Sequence, residues 1–221
     1  MRIVIMATGT RGDVQPMIAL GKALQAQGHT VCLLAGSNFG QWIESHGLEA
    51  YPTVDMEALM RSELGIKWVE STSQLEQLKY MKALTNSIVE PALEDVVNGT
   101  QGAELLIGGF ISEPYMQTLH EKHGIPVISI ALQPYRATRS GAASLVPILA
   151  GSNSILNRWM GLFAERMTWS MAVEGTNKLR SRFGLPSHTA GSYLRAAHQI
   201  PALYAISPHV VPPIDDANTY T

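Results

Sequence analysis

The residues best suited to chemistry lie in a glycine-containing segment near the amino terminus, residues 8–13. Gly9 and Gly12 allow backbone to approach a ligand closely, and the predicted helix that follows offers free amides to an anion. Asp13 ends the segment, and two roles are open to it. Its carboxylate could cap the helix by accepting the free amides of the next turn, or it could face a crevice as a general base.

Better-known loops and sites do not match the sequence. A dinucleotide-binding loop has Gly-x-Gly-x-x-Gly and an acid ending the second strand, whereas here the glycines are spaced Gly-x-x-Gly and residues 36–38 contain no acid. The sequence also lacks the Gly-Lys-Ser/Thr of a Walker loop and the Gly-x-Ser-x-Gly of a nucleophile elbow. His120 and His123 are one residue too close for a zincin helix, and no carboxylate cluster suggests magnesium, so no metal site is predicted.

The composition excludes several classes of protein. Of 221 residues, 46% are hydrophobic and 15% are charged, which excludes disorder over most of the length. The net charge of −2 gives no general attraction to nucleic acid. Cys32 is the single cysteine, and the apolar amino terminus is too short for a signal peptide. We therefore expect a cytoplasmic protein without disulfides.

The elements that must position the segment alternate between strand and helix. A strand is predicted at residues 3–7, a helix at 16–27 ended by Gly28, and a second strand at 30–35. The same order recurs over residues 42–51 and 115–131. This alternation predicts an α/β, Rossmann-like parallel sheet with helices on both faces. Ligands of such sheets bind beyond the carboxyl ends of the strands, where the loops collect.

The rest of the chain gives coarser predictions. Residues 55–98 are mostly helical, with Pro91 able to begin or kink a helix, and a fourth strand covers 105–108. Residues 133–147 form a long loop, and residues 155–183 form one or two helices with possible breaks at Gly161 and Gly175. A late strand covers 203–206. The basic, aromatic helix could lie on a membrane, border an apolar pocket, or simply pack with a charged outer face.

Residues 9–16, Gly-Thr-Arg-Gly-Asp-Val-Gln-Pro, resemble the opening of the sterol and glycopeptide-type glycosyltransferases, the two-domain GT-B enzymes with a family 28 amino-terminal domain. The similarity continues at residues 133–139, 157–186 and 203–212. It implies an acceptor-binding domain over residues 1–207 and the start of an interdomain linker over 208–221. The donor-binding carboxyl-terminal domain, with its His-x-Gly-x-Gly-Thr-type motif, is absent from the chain, so the resemblance implies that the chain alone has no transferase activity.

The resemblance also implies a reaction. A hexose moves with inversion from a nucleotide sugar, with UDP-glucose as the expected donor, to a hydroxyl of a lipophilic acceptor such as a sterol or natural-product aglycone. The nucleotide sugar is a co-substrate, and no cofactor is implied. Asp13 falls on the base position. Related plant enzymes carry a His there, paired with an Asp after the fourth strand, but residues 109–113 contain no Asp, so Asp13 would act alone.

The remaining implied roles divide between two loops and one helix. The segment on the donor's phosphate side comprises Gly9, Thr10, Arg11 and Gly12. The expected acceptor-binding residues are Phe110, Gln133, Pro134, Tyr135, Arg136, Trp159 and Phe163. Peripheral membrane contact is a further expectation.

Two other functions remain open. The first is a non-catalytic module that binds lipophilic small molecules, and the second is a GT-B relative such as a sugar-nucleotide epimerase. The epimerase would need acids and histidines suited to epimerisation, which this half does not show.

Overall fold

A six-stranded sheet forms the centre of the fold in a computed structural model that describes residues 1–140 and 153–211. The strands are β1 (Arg2–Ala7), β2 (Thr30–Gly36), β3 (Glu49–Thr53), β4 (Leu105–Gly108), β5 (Val127–Ala131) and β6 (Ala202–Tyr204). Their spatial order is β3-β2-β1-β4-β5-β6, and every neighbouring pair is parallel. The predicted parallel α/β sheet is confirmed.

Residues 3–7 of β1 and 31–35 of β2 are all apolar because helices cover both faces of the sheet. Alternate side chains of β1 enter different cores: Ile3 and Ile5 pack in one cluster, and Val4 and Met6 pack in the other. The eight helices of the described residues are α1 (Arg11–Ala26), α2 (Gly40–Ser45), α3 (Met56–Arg61), α4 (Glu63–Glu70), α5 (Gln74–Gly99), α6 (Glu113–His123), α7 (Ile155–Arg182) and α8 (Ala190–Ala197).

Helix α1 begins five residues before the predicted start at Pro16. Its first turn forms at Arg11 because Thr10 and Asp13 make a capping box across that turn. Pro16 therefore lies inside the helix, in the second turn, where its missing amide removes one intrahelical hydrogen bond. The segment predicted as a loop, residues 8–13, is thus half loop and half helix.

Helix α7 is continuous, so the alternative of one helix is confirmed and the possible breaks at Gly161 and Gly175 do not occur. Both glycines are buried, and Gly175 allows close packing, since a Cβ there would lie 2.6 Å from the Tyr115 hydroxyl. Helix α5 likewise continues through Pro91. Helix α8 was not predicted, because its eight residues are too few to display a helical period.

The predicted loop after β5 is confirmed for its described part, in which an isolated bridge joins Ser140 to Asn153. The rest of that loop and residues 212–221 of the predicted linker lie outside the described residues. No helix within residues 1–140 and 153–211 is long and apolar enough to span a membrane.

Candidate functional site

The sheet order reverses at β1, which has β2 on one side and β4 on the other. The loops after β1 and β4 therefore diverge and leave a crevice at the carboxyl ends of the strands. Thr8 and Gly9 form one side of this crevice, and Gly109 and Phe110 form the other.

Asp13 lies at the third position of α1 and holds the loop before it. Its Oδ2 accepts hydrogen bonds from the Thr10 amide at 2.8 Å and the Thr10 hydroxyl at 3.2 Å. The carboxylate thus caps the residue that precedes the helix, whereas the sequence had suggested the amides of the next turn. Gly9 fits this arrangement, since its φ is +142° and a Cβ there would lie 2.2 Å from Asp13 Oδ2.

A small pocket of about 20 Å³, which we call the recess, lies beside Asp13. Its lining combines Asp13 and Met17 of α1 with Gly109, Phe110 and other residues of the strand ends. Both hydrogen bonds that the described residues make to the Asp13 carboxylate fall on Oδ2. The second oxygen, Oδ1, accepts no hydrogen bond from the described residues.

A cavity of about 480 Å³, the large cavity, adjoins the recess. The two share Met6, Thr8, Phe110 and Ile111 as lining residues. The walls of the large cavity come from α3, α4 and α5 on one side and from α7 and α8 on the other. Its larger apolar side chains include Met56, Met60, Trp68, Met81, Leu84, Trp169, Met171 and Leu194. Its size and lining suit an apolar ring system of drug-like size.

One wall of the large cavity carries a buried polar cluster. Glu113, the first residue of α6, is 2% exposed, and its Oε2 accepts from the Ser129 hydroxyl at 2.8 Å and the Tyr135 hydroxyl at 2.9 Å. Arg136 Nη2 forms an ion pair with the same oxygen at 3.0 Å. These short contacts compensate the burial of a charged group.

The phenols of this cluster act as hydrogen-bond donors. Burial raises the pKa of Tyr135 and of Tyr193, and the nearby Glu113 carboxylate raises both further. Burial acts to lower the pKa of Arg136, but Glu113 and other acidic neighbours outweigh it and the net shift is upward. The phenols therefore stay protonated and the guanidinium stays charged across the physiological pH range.

Some of the predicted site residues line the large cavity and others are exposed. Phe110 and Tyr135 line the large cavity, with their rings stacked at 5.7 Å between centroids, and Gly9 lines it as well. Thr10, Arg11 and Gly12 are exposed at the start of α1, where Arg11 lies over the Trp42 ring at 5.5 Å.

The other predicted acceptor residues do not line the large cavity. Gln133 is exposed, Pro134 is half-buried, and Arg136 lies behind two lining residues, with its side chain paired to Glu113 and over the Tyr135 ring. Trp159 and Phe163 are 68% and 58% exposed, because the part of α7 that faces the large cavity is its middle and not its first turns.

Sequence reasoning missed the acids of the large cavity and the side chains of α3, α4 and α5 that line it. Glu113 and Glu165 were not singled out, and no local pattern distinguishes either from a solvated helical glutamate. The abundance of methionine was a usable signal, since five of the ten methionines line the cavity. Methionine is favoured at adaptable apolar binding surfaces. Within the described ranges, no group of three or more His, Cys, Asp or Glu converges as metal ligands would.

Comparisons with known proteins agree on one family. The family model described as "Glycosyltransferase family 28 N-terminal domain" matches residues 3–142. The sterol 3-beta-glucosyltransferase of Debaryomyces hansenii is 31% identical over 96% of this chain, and the match covers 13% of that protein. The O-mycaminosyltylonolide 6-deoxyallosyltransferase of Streptomyces fradiae is 30% identical over 96% of this chain and 51% of its own length.

Solved structures agree on the fold. The glycosyltransferase of kitacinnamycin superimposes with a TM-score of 0.63 over the whole chain and 50% of its own, at 13% identity. The chain therefore spans between about an eighth and about a half of the length of these relatives.

Proposed function

The chain belongs to the glycosyltransferase family 28 N-terminal domains, and on this premise we propose that it is the acceptor-binding half of an inverting glycosyltransferase. In this proposal residues 1–207 bind a lipophilic acceptor, and the residues from 208 onward begin the linker to a donor-binding domain. The donor is a nucleotide-activated hexose, with UDP-glucose as the first candidate.

One observation carries the proposal: a large apolar cavity adjoins the recess that holds a carboxylate. Asp13 does not itself line the large cavity, but four residues line both spaces. An acceptor whose apolar body fills the large cavity can therefore extend a hydroxyl past Phe110 toward Asp13 Oδ1. Binding energy from the apolar body would then orient the hydroxyl for reaction.

The proposed reaction is an in-line displacement at the anomeric carbon. Asp13 accepts the proton of the acceptor hydroxyl while the acceptor oxygen bonds to the anomeric carbon. The bond between that carbon and the donor's phosphate oxygen breaks at the same time, and the nucleoside diphosphate leaves with the electron pair. The exposed amino end of α1, with Thr10, Arg11 and Gly12, supports the proposal because a helix amino terminus stabilises the negative charge that develops.

The names of the relatives support a lipophilic acceptor. One relative is named for a sterol and another for O-mycaminosyltylonolide. A cavity of about 480 Å³ with an apolar lining is compatible with either.

A substitution inside the large cavity tests the proposal. Ala172 of α7 lines the large cavity, and Ala172→Phe adds a ring to that space. In the full-length protein, with UDP-glucose and a panel of 3β-hydroxysteroids and aglycones, we expect the acceptor KM to rise at least about tenfold, the loss of roughly 1.4 kcal/mol of apolar contact. The donor KM should stay unchanged. An unchanged acceptor KM would contradict the assignment of this cavity to the acceptor.

A binding module without catalysis is the second candidate, because the described residues of this chain line an apolar cavity of about 480 Å³. The two candidates differ in one measurement. A binding module retains acceptor binding, while the full-length protein shows no transfer with any nucleotide sugar.

We further propose peripheral membrane contact through α7. Ile155, Trp159, Phe163 and Met167 recur every four residues and are 42–68% exposed, so they form an apolar stripe on one face of the helix. Exposed aromatic side chains of this kind insert at a bilayer surface.

Vesicle binding tests this proposal. In sedimentation with phosphatidylcholine and phosphatidylserine vesicles, Trp159→Ser with Phe163→Ser should lower the bound fraction severalfold. The matched control is Val69→Ser, which removes an equally exposed apolar side chain from α4. An equal loss in both variants would mean that the stripe has no special part in membrane contact.

A further inference from the structure

The charged side chains among the described lining residues of the large cavity are all acidic. They are Glu113 and Glu165. Both are also buried, Glu113 at 2% and Glu165 at 7% exposure. An apolar ligand gains nothing from buried carboxylates, and an acidic one would be repelled by them.

The two acids are held side by side by consecutive residues of the loop after β5. Arg136 pairs with Glu113 through its side chain, and Ala137 donates its backbone amide to Glu165 Oε1 at 2.7 Å. Glu165 Oε2 contacts His198 Nε2 at 2.9 Å. The group therefore combines two carboxylates with the guanidinium of Arg136 and the imidazole of His198.

The two oxygens of Glu113 are unequally satisfied. Oε2 receives three donors within 3.0 Å, whereas Oε1 has one contact among the described residues, the Tyr193 hydroxyl at 3.5 Å. That distance is at the outer limit of a hydrogen bond, whereas Oε2 shows that an oxygen of this carboxylate can receive several good donors. A buried oxygen on the cavity wall thus retains unused accepting capacity.

We propose that Glu113, with Glu165 beside it, binds a protonated amine carried on the apolar body of the ligand. The inference deepens the proposed function, on which it rests, by naming the acceptor class: an amphiphilic alcohol that also bears a basic nitrogen. The ammonium group donates to Glu113 Oε1, the less satisfied oxygen of that carboxylate. The hydroxyl to be glycosylated is a separate group of the same molecule and reaches the recess.

A matched pair of ligands tests the inference without any nucleotide sugar. One is a 3β-hydroxysteroid with a tertiary amine on its side chain, and the other has carbon in place of that nitrogen. Quenching of tryptophan fluorescence reports binding to the full-length protein, because Trp68 and Trp169 line the large cavity. We expect the amine to bind about tenfold to a hundredfold more tightly, as for a charged hydrogen bond.

Substitutions of Glu113 and Glu165 test whether these acids cause the preference for the amine. Glu113→Gln should abolish most of it while leaving the affinity for the carbon analogue nearly unchanged, which also shows that the cavity is intact. Glu165→Gln should reduce it less and provides the test if Glu113→Gln does not fold. Glu174→Gln, the same change on an outward position of α7 paired with Lys178, should leave the preference unchanged.

Two results would overturn the inference: equal affinity of the parent protein for both ligands, or an unchanged preference in Glu113→Gln and Glu165→Gln. Either result is compatible with transfer to neutral alcohols, so the proposed function would survive it. Conversely, an amine preference without transfer to any alcohol would support the subsite and refute the glycosyltransferase.

Discussion

Replacing Asp13 separates its two roles, because the cap and the proposed base use different chemical properties of one side chain. Asp13→Asn keeps an oxygen that can accept the Thr10 amide, now at 2.8 Å, but removes the charge and the basicity. The lost charge at a helix amino terminus should cost about 0.3–1 kcal/mol of folding stability. Asp13→Ala also loses the cap, which should cost about 1 kcal/mol, or about 2–4 °C in Tm for a chain of this size.

The two substitutions should affect the rate of sugar transfer differently from the folding stability. Loss of a general base lowers kcat by about a hundredfold to ten-thousandfold, and both variants lose it equally. We therefore expect Asn and Ala to be similarly inactive but unequally stable, with the acceptor affinity nearly unchanged in both. The assays are sugar transfer by the full-length protein, acceptor binding by tryptophan fluorescence, and thermal denaturation.

The matched control is Asp55→Asn, since Asp55 caps α3 by accepting the amides of Glu57 and Ala58 and does not line the recess. It should lose a little stability and keep its transfer rate. Transfer by Asp13→Asn within about twofold of the parent, with a decline in Asp13→Ala that follows its unfolding, would refute the base and leave only the cap.

Two further predictions concern the scaffold. Gly99→Ala should lower the free energy of unfolding by about 1–3 kcal/mol, since a Cβ there would lie 2.1 Å from Leu34 Cδ1 in the core. Gly40→Ala should not lower it, because nothing lies within 4 Å of a Cβ at that position. Equal melting temperatures of the two variants would show that the core relaxes around the methyl group added at position 99 without cost. The hydrogen bond from Arg180 lowers the pKa of Glu121, so this pair stabilises the fold above pH 4.5 and loses its effect as pH falls through the lower folded pKa. Glu121→Gln should therefore flatten the acid side of the stability curve, and an unchanged slope would contradict this.

The sheet was predictable because its signal is local. Residues 3–7 of β1 and 31–35 of β2 are all apolar, and Gly28 has the left-handed φ of +86° that ends a helix before the next strand. The start of α1 was misplaced because Pro16 is a stronger local signal than the Thr10 and Asp13 pair, although the pair determines the structure.

The large cavity was not predictable because it depends on contacts between distant segments. Trp68 of α4 and Trp169 of α7 line the same space although about a hundred residues separate them in the chain. The predicted aromatic residues of α7 do not reach that space because they lie too near the start of the helix. The lining residues of α7 fall between Glu165 and Ala172, whereas Trp159 and Phe163 precede that stretch and are exposed.

Asp13 shows why a structural and a chemical role need not compete. The capping box fixes the carboxylate through Oδ2, so the side chain pays little further entropy when Oδ1 meets a ligand. Gly9 allows this orientation, because any side chain at that position would collide with the carboxylate. The hydrogen bond that makes Asp13 look like an ordinary cap therefore also fits the proposed base role. Asp13→Asn preserves the orientation of the side chain and removes its basicity, so it is the variant that distinguishes the two roles.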